Sequence, residues 1–400
     1  VHQPDQAPYR VLILSASAGS GHLRAAAAIE SVCRTRQAIG RIANVDALTY
    51  TNQLFRRAYQ KTYLQLLRNA PTLLGWFYEN LDEPWKTDRM RLMLNRLPTR
   101  PLVRMIREFD PHITICTHFL PAEIISYLLA KEAIQTRLSI VVTDLDVHAM
   151  WLSRLFHHYF VATTEAREHL RMTGLPADRI TVSGIPIDPV FSVAKDRAAL
   201  CAKHGADPER PLLLVSMGAM GKVAAHDMVR VLAHLHTACQ VVFLCGVHEE
   251  LADLVRAEAE RVAPAHLQFR ALRHTTEVDE WMRMATLMIG KPGGLTVAEC
   301  MALGLPMVIY LPIPGQEERN SDHLLEGGAA IKCNQLTTMA HKIDALLGDP
   351  ARLRAMRRAA RKLGHPHAAR TVVDTLLGQF NAAPIQVARE TIRGEALPEA

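Results

Sequence analysis

The sequence predicts an α/β protein built from two doubly wound halves. Each half opens on an apolar strand that runs into a glycine turn and then a helix: RVLILS before SAGSGH at 10–22, and LLLVS before MGAMGK at 212–222. A stiff, proline-rich stretch, Ile185-Pro186-Ile187-Asp188-Pro189, separates them as a linker. A chain of 400 residues is long enough for two cores.

The first strand spans 10–15, an alanine-rich helix spans 23–36, and a second strand at 41–45 ends at Asp46. This is the βαβ opening of a doubly wound sheet. Its glycine spacing is not the dinucleotide fingerprint: only Gly19 and Gly21 are present, and His22 follows directly. The loop reads instead as a turn that brings His22 to the top of the sheet. Residues 49–97 hold eight of the 22 aromatics, with basic residues interleaved, among them Arg56, Arg57, Trp76, Phe77 and Tyr78. Either these are core-facing amphipathic helices, or they form a peripheral membrane-docking surface with aromatic anchors and a basic fringe. Strands follow at 113–116, 138–142 and 159–162, the second running into Thr143-Asp144-Leu145-Asp146-Val147-His148.

In the second half, strands are expected at 211–215, 240–244 and 267–270, and a helix at 277–285. The stretch 291–320, KPGGLTVAECMALGLPMVIYLPIPGQEERN, then reads as glycine turn, short helix from Thr296 to Leu303, buried strand and polar loop. A helix that starts straight after a glycine turn offers unpaired N–H groups and a positive dipole end to a phosphate. Thr296-x-x-Glu299 also matches a capping box, which needs no ligand. Gln316, Glu317 and Asn320 sit where open α/β sheets place their ligands. The remainder is mostly helical, with a strongly basic helix over 352–361 and a loose tail after Pro384.

Composition narrows the class. A net charge of +6 without a basic-aromatic RNA motif argues against nucleic acid and suits an anionic surface. The seven cysteines are scattered with no CxxC pair, so neither a zinc site nor a disulfide framework is expected, and a reducing cytosol is the default. The polar start VHQPDQAPYR does not read as a signal peptide, and no apolar run approaches a membrane span, so membrane contact is expected to be peripheral.

Seven segments, LSASAGSGHLRAA, VVTDLDVHAMW, YFVATTEA, VSGIPIDPVF, SMGAMG, KPGGLTVAECMALGLPMVIY and PIPGQEERNSDHL, occur in one order over residues 10–375. In order and spacing they resemble the glycosyltransferases that put sugar on diacylglycerol: plant monogalactosyldiacylglycerol synthases and bacterial processive diacylglycerol glucosyltransferases. The resemblance implies the GT-B fold, two Rossmann-like domains facing a central cleft. It assigns 1–188 to the acceptor and membrane, 189–375 to a UDP-sugar donor, and 376–400 to a tail.

The same resemblance implies roles residue by residue. Gly218 would face the diphosphate and sugar; Gly294, Leu295 and Thr296 would give N–H groups, and the threonine hydroxyl, to the pyrophosphate. Glu299 would accept the ribose hydroxyls, Gln316 and Glu317 would read the hexose, and the uracil would lie near 270–275. An inverting transfer needs a base for the acceptor alcohol; His22 takes that role, with Asp144 and His148 as helpers or rivals. Asp144-Leu145-Asp146 spells a motif that holds a metal in another glycosyltransferase fold, but it lies in the acceptor half, and neither metal nor cofactor is expected. The implied reaction moves glucose or galactose from its UDP donor to 1,2-diacylglycerol, giving a β-glycolipid, at the cytoplasmic face of an anionic membrane. Two other readings share the fold: a non-catalytic, membrane-associated UDP-sugar sensor, which would not need His22, and a UDP-N-acetylglucosamine 2-epimerase, which would have no lipid to seat.

Overall fold

A computed structural model describes residues 8–17, 19–50, 100–153, 155–217, 221–247, 249–380 and 385–386. Contacts divide the chain into two units. The first takes the described residues within Val1–Pro189, Ile313–Gln316 and His367–Ala400; the second takes those within Val190–Pro312 and Glu317–Pro366.

The first unit is a six-stranded parallel sheet in the order β2-β1-β3-β4-β6-β7: β1 (Tyr9–Ser15), β2 (Ile39–Asp46), β3 (Ile113–Cys116), β4 (Arg137–Val141), β6 (His158–Val161) and β7 (Ile180–Val182). Side chains alternate across the sheet, so one strand feeds two cores. Val11 and Ile13 pack with α1 (Ser20–Cys33) and with the last helix among the described residues, α13 (Ala368–Gly378). Leu12 and Leu14 face the other layer, formed by α2 (Arg100–Phe109), α3 (Phe119–Ala130) and α4 (Thr164–Met172). A short antiparallel pair, β5 (Leu155–Phe156) with β14 (Ile385–Gln386), pins the chain's end.

The second unit repeats the plan. Its parallel sheet runs β10-β9-β8-β11-β12-β13, from β8 (Leu212–Ser216), β9 (Cys239–Leu244), β10 (Leu267–Leu272), β11 (Leu287–Gly290), β12 (Met307–Tyr310) and β13 (Ala330–Cys333). Helices α6 (Gly221–Leu232), α7 (Glu249–Val262) and α11 (Met339–Leu347) close one core on this sheet. The others are α5 (Arg197–His204), α8 (Val278–Met284), α9 (Gly294–Leu303), α10 (Gln316–Glu326) and α12 (Pro350–Leu363). The basic run at 352–361 lies in α12, where Pro350 takes the first turn and Asp349 accepts the Arg352 N–H at 2.9 Å.

Four expectations change. The first helix starts at Ser20, so His22 lies in its first turn rather than in the loop before it. Residues 316–320 are not a loop but the opening of α10; Glu317 and Glu318 favour the positive end of that helix, and only Asn320, Ser321 and Leu324 are buried. That thin buried stripe hides the helical period in a polar sequence. The second domain does not run from 189 to 375, because α13 buries Ala369, Val372, Val373 and Leu376 against the first sheet. The tail after Pro384 contributes a strand, β14.

Candidate active site

In each sheet the strand order reverses at one crossover, and open α/β sheets bind ligands at the carboxyl ends of the strands flanking it. In the first sheet the reversal falls between β1 and β3. The loop after β1 is tied down by Asp46 at the end of β2, whose Oδ1 accepts the N–H groups of Ser17 at 3.1 Å and Leu48 at 3.0 Å. His22 stands on the first turn of α1, half-buried, beside the loop that leaves β3. Its Nδ1 lies 3.1 Å from the Thr117 carbonyl and 2.7 Å from Thr143 Oγ1. A carbonyl only accepts, so the contact assigns the ring hydrogen to Nδ1 and leaves the lone pair on Nε2. Thr117 in turn donates its hydroxyl to the His22 carbonyl at 3.0 Å. The His118 ring meets His22 edge-on at 4.6 Å, and Trp151 and Phe119 complete an aromatic wall. Burial pulls the His22 pKa down to about 4 against the opposing effect of the Thr117 carbonyl, so the imidazole is neutral near pH 7.

Asp144 lies one residue beyond Thr143 and is buried. Burial raises its pKa to about 6, while the amide of Gln316 and the side chain of Trp151 hydrogen-bond to it and oppose the rise; Asp146 adds a smaller upward push. Gln316 belongs by its contacts to the first unit, so its amide is engaged by Asp144 here. A carboxyl raised in the folded state binds its proton more tightly than in the unfolded chain. Its ionisation therefore costs stability as pH rises from about 4 to about 6, at most about 3 kcal/mol. Asp144→Asn is expected to be more stable than the parent at pH 7 by on the order of 1–2 kcal/mol, with the gain vanishing near pH 4. Urea unfolding at the two pH values checks it, and an equal gain at both would remove the burial account.

His148 plays a different part. It is buried, and its Nδ1 accepts the Met150 N–H at 3.1 Å as the cap of the turn Ala149–Trp151. That spends the nitrogen lone pair a base would need. His118 caps α3 in the same way, at 3.1 Å from the Leu120 N–H.

In the second sheet the reversal falls between β8 and β11. The loop after β11 is the Pro292-Gly293-Gly294 turn. Gly293 is the N-cap of α9 in extended backbone, with no side-chain cap, and the first intrahelical bond runs from Val297 N–H to Gly293 O at 2.9 Å. The N–H groups of Gly294, Leu295 and Thr296 therefore have no partner within the helix. Thr296 sits at the third helical position, so the capping-box alternative does not hold: the helix begins three residues too early for Thr296 to cap it. Asn320 is buried and donates its amide to the Pro292 carbonyl at 3.1 Å, which fixes the turn against α10. The Glu317 carboxylate faces the turn: a Cβ at Gly293 would lie 3.6 Å from its Oε1. Glu299, one turn into α9, is buried, and Leu295 is a core side chain that offers only its backbone. Gly304, at φ 64°, stops the helix in a conformation only glycine adopts freely.

Arg270 is spent on structure. Its guanidinium donates to the carbonyls of His204 at 2.5 Å and Gly205 at 3.1 Å, capping α5, and lies over Trp281. A uracil near 270–275 would therefore not be read by the Arg270 guanidinium. Gly218, Arg56, Arg57, Trp76, Phe77 and Tyr78 lie outside the described residues. Sequence reasoning missed Thr117, Thr143 and Asp46, which orient His22 and its loop. Their signal was positional: each lies at or just past a strand end beside the crossover.

These two sheets and their crossover sites define a GT-B protein. Solved structures agree on the fold: MurG of Acinetobacter baumannii (17% identity, TM-score 0.58, 93% of this chain and 100% of that one) and MnaA of S. aureus with UDP (12%, 0.61, 94% and 98%). The family model described as monogalactosyldiacylglycerol (MGDG) synthase matches residues 22–187, and that described as UDP-N-acetylglucosamine 2-epimerase matches 149–377. Curated relatives include the processive diacylglycerol beta-glucosyltransferases of Bacillus pumilus (strain SAFR-032), 26% identical over 92% of this chain and 95% of the relative, and Bacillus mycoides (strain KBAB4), 28% identical over 94% and 95%. Along nearly its whole length the chain is similar to diacylglycerol glycosyltransferases of the monogalactosyldiacylglycerol synthase and processive glucosyltransferase type, and through residues 149–377 it belongs to the family described as UDP-N-acetylglucosamine 2-epimerase.

Proposed function

We propose that this chain is an inverting glycosyltransferase that moves a hexose, glucose or galactose, from its UDP donor to the free hydroxyl of 1,2-diacylglycerol. The observation that carries the reading is the uncapped start of α9: three N–H donors without intrahelical partners, with the buried carboxylate of Glu299 one turn further in. The helix end takes the negative charge that grows on the diphosphate as the bond from the anomeric carbon to the phosphate oxygen breaks. Glu299 accepts the ribose hydroxyls, and Glu317 reads the hexose; Gln316 joins it when released from Asp144. The acceptor oxygen attacks the anomeric carbon from the opposite face, and its proton passes to Nε2 of His22, which makes no hydrogen bond among the described residues. The imidazolium so formed keeps its Nδ1–H on the Thr117 carbonyl. The scheme uses no metal. Membrane docking at the cytoplasmic face of an anionic bilayer is assigned to the aromatic-basic segment 49–97 from its sequence; among the described residues no helix is long and apolar enough to cross a membrane.

The test is incubation of the protein with UDP-glucose or UDP-galactose and diacylglycerol micelles, with mass analysis of the lipids. Absence of any glycolipid with either donor would reject the proposal. The pH profile tests the site's charge: kcat/KM is expected to fall below about pH 6 as Asp144 protonates, and to lose that limb in Asp144→Asn. A wild-type rate unchanged from pH 7 to pH 5 would exclude a role for the Asp144 charge.

A second reading has its own support. The epimerase family model covers 149–377, and several structures of similar fold are UDP-N-acetylglucosamine 2-epimerases. Conversion of UDP-N-acetylglucosamine without any acceptor would establish it.

A further inference from the structure

At the opposite end of the first sheet from His22, the strands open with a cluster of hydrogen-bond donors. Arg137 begins β4, His158 begins β6, and Arg179 stands just before β7. With Ser139, His157 and Gln379 they line a shallow, open pocket beneath the end of α13. Ser139 and His158 are register partners on neighbouring strands, so their side chains share one face of the sheet. Both are buried, and Ser139 Oγ and His158 Nδ1 have no hydrogen-bond partner. Buried polar atoms are rarely left unpaired, because burial takes away their hydrogen bonds to water without a replacement.

The lining is one-sided in chemistry. His157 accepts the Leu138 N–H on Nδ1 at 3.0 Å, so its neutral ring carries its hydrogen on Nε2. His158 Nε2 meets the Thr181 hydroxyl at 2.8 Å; with that hydroxyl donating, Nδ1 becomes the N–H. The two arginines, the serine hydroxyl and the glutamine amide add donors, although Arg179 already pairs through Nε with Asp178 at 3.3 Å and reaches the His157 carbonyl at 3.5 Å; no lining residue is acidic. Burial first, then the Arg137 and Arg179 charges, push His157 down to about 4; burial and Arg179 do the same to His158, against an opposing effect of Asp178. Arg137 is held in place over the Phe380 ring at 4.6 Å.

We propose that this pocket, formed by Arg137, Ser139, His157, His158 and Arg179, binds a soluble tetrahedral oxyanion of the phosphate class, at a site separate from the sugar-transfer chemistry. A soluble source fits better than a lipid headgroup, since none of the exposed large hydrophobic side chains among the described residues lines the pocket. A bound oxyanion would complete Ser139 Oγ and His158 Nδ1 and offset the repulsion between the arginines.

The experiment is calorimetric titration of inorganic phosphate into the full-length protein at fixed ionic strength, with chloride as the control. Wild type is expected to give a saturable heat. Arg179→Gln is expected to weaken binding at least tenfold, and Ser139→Ala severalfold. Ser139→Ala removes a hydroxyl with no partner, so its fold is expected to be intact even if Arg179→Gln is poorly folded. No heat with phosphate would mean that the pocket holds only water, and heat unchanged in Ser139→Ala and Arg179→Gln would place the anion elsewhere; either result overturns the proposal. Vesicles carrying a phosphomonoester lipid control for the source: they are expected to bind Arg179→Gln as they bind wild type, and parallel loss of vesicle and phosphate binding would overturn the soluble assignment.

Discussion

Replacing His22 with alanine is expected to lower kcat for lipid glycosylation by roughly 10²–10⁴-fold, the range for removing a positioned general base, while leaving affinity for UDP unchanged. The split follows from position. His22 sits at the crossover of the first sheet, held through Nδ1 by Thr117 and Thr143, and contributes nothing to the α9 helix end. The ring is half-buried on a first helical turn, so its removal leaves the sheet core of Leu12 and Ile13 untouched. Burial makes this imidazole a weak base, with a pKa near 4. Its advantage is therefore geometry and a desolvated lone pair rather than intrinsic basicity. Single-turnover transfer of labelled sugar, alongside calorimetric UDP binding, checks both halves of the prediction. Turnover within threefold of wild type would move the proton to another group, Asp144 first.

Removal of the Glu299 carboxylate is expected to act on the donor. Hydrogen bonds to a charged group are each worth about 1.5–3 kcal/mol, so loss of the pair to a ribose diol should cost about 3 kcal/mol, or roughly 10²-fold in kcat/KM for the UDP-sugar. Glu299 is 3% exposed, and alanine there would also open a cavity beside Cys300. Glu299→Gln keeps the volume and is the cleaner variant, expected to lose most of the same affinity because it trades a charged acceptor pair for one neutral acceptor. UDP and a ribose-lacking pyrophosphate should be compared: the variant's loss should appear with the first and not the second. Equal loss with both would make Glu299 a packing residue.

Much of the fold was legible because most of its strands are short apolar runs, and strand 113–116 falls on its expected bounds. The crossover sites were legible too, as glycine turns before helices. What escaped has physical causes. Helix α10 was hidden because its first turn is acidic and its buried stripe is thin. The capping box at Thr296 and Glu299 matched by spacing, but the double glycine lets the helix begin at Gly294, ahead of the threonine. His148 looked like chemistry from its place after two aspartates, yet the backbone of Met150 claims its free nitrogen. Thr117 and Thr143 were marked only by their place just past a strand end; their partner is a histidine about a hundred residues away in sequence that only the sheet brings close.

The return of α13 to the first sheet bears on how the chain matures during synthesis. The face made by Val11, Ile13, Ile113 and Ile115 is completed by Ala369, Val372, Val373 and Leu376. A ribosome releases those covering residues only after the whole second unit has emerged. The second unit, contained within 190–366, has all its strands in hand before then and can close first. The unit that begins the chain is thus the last to be sealed, and its apolar face waits, open to chaperones or to misassembly, until α13 arrives. A nascent chain stalled before residue 367 should accordingly protect the second sheet from proteolysis and leave the first one cleavable.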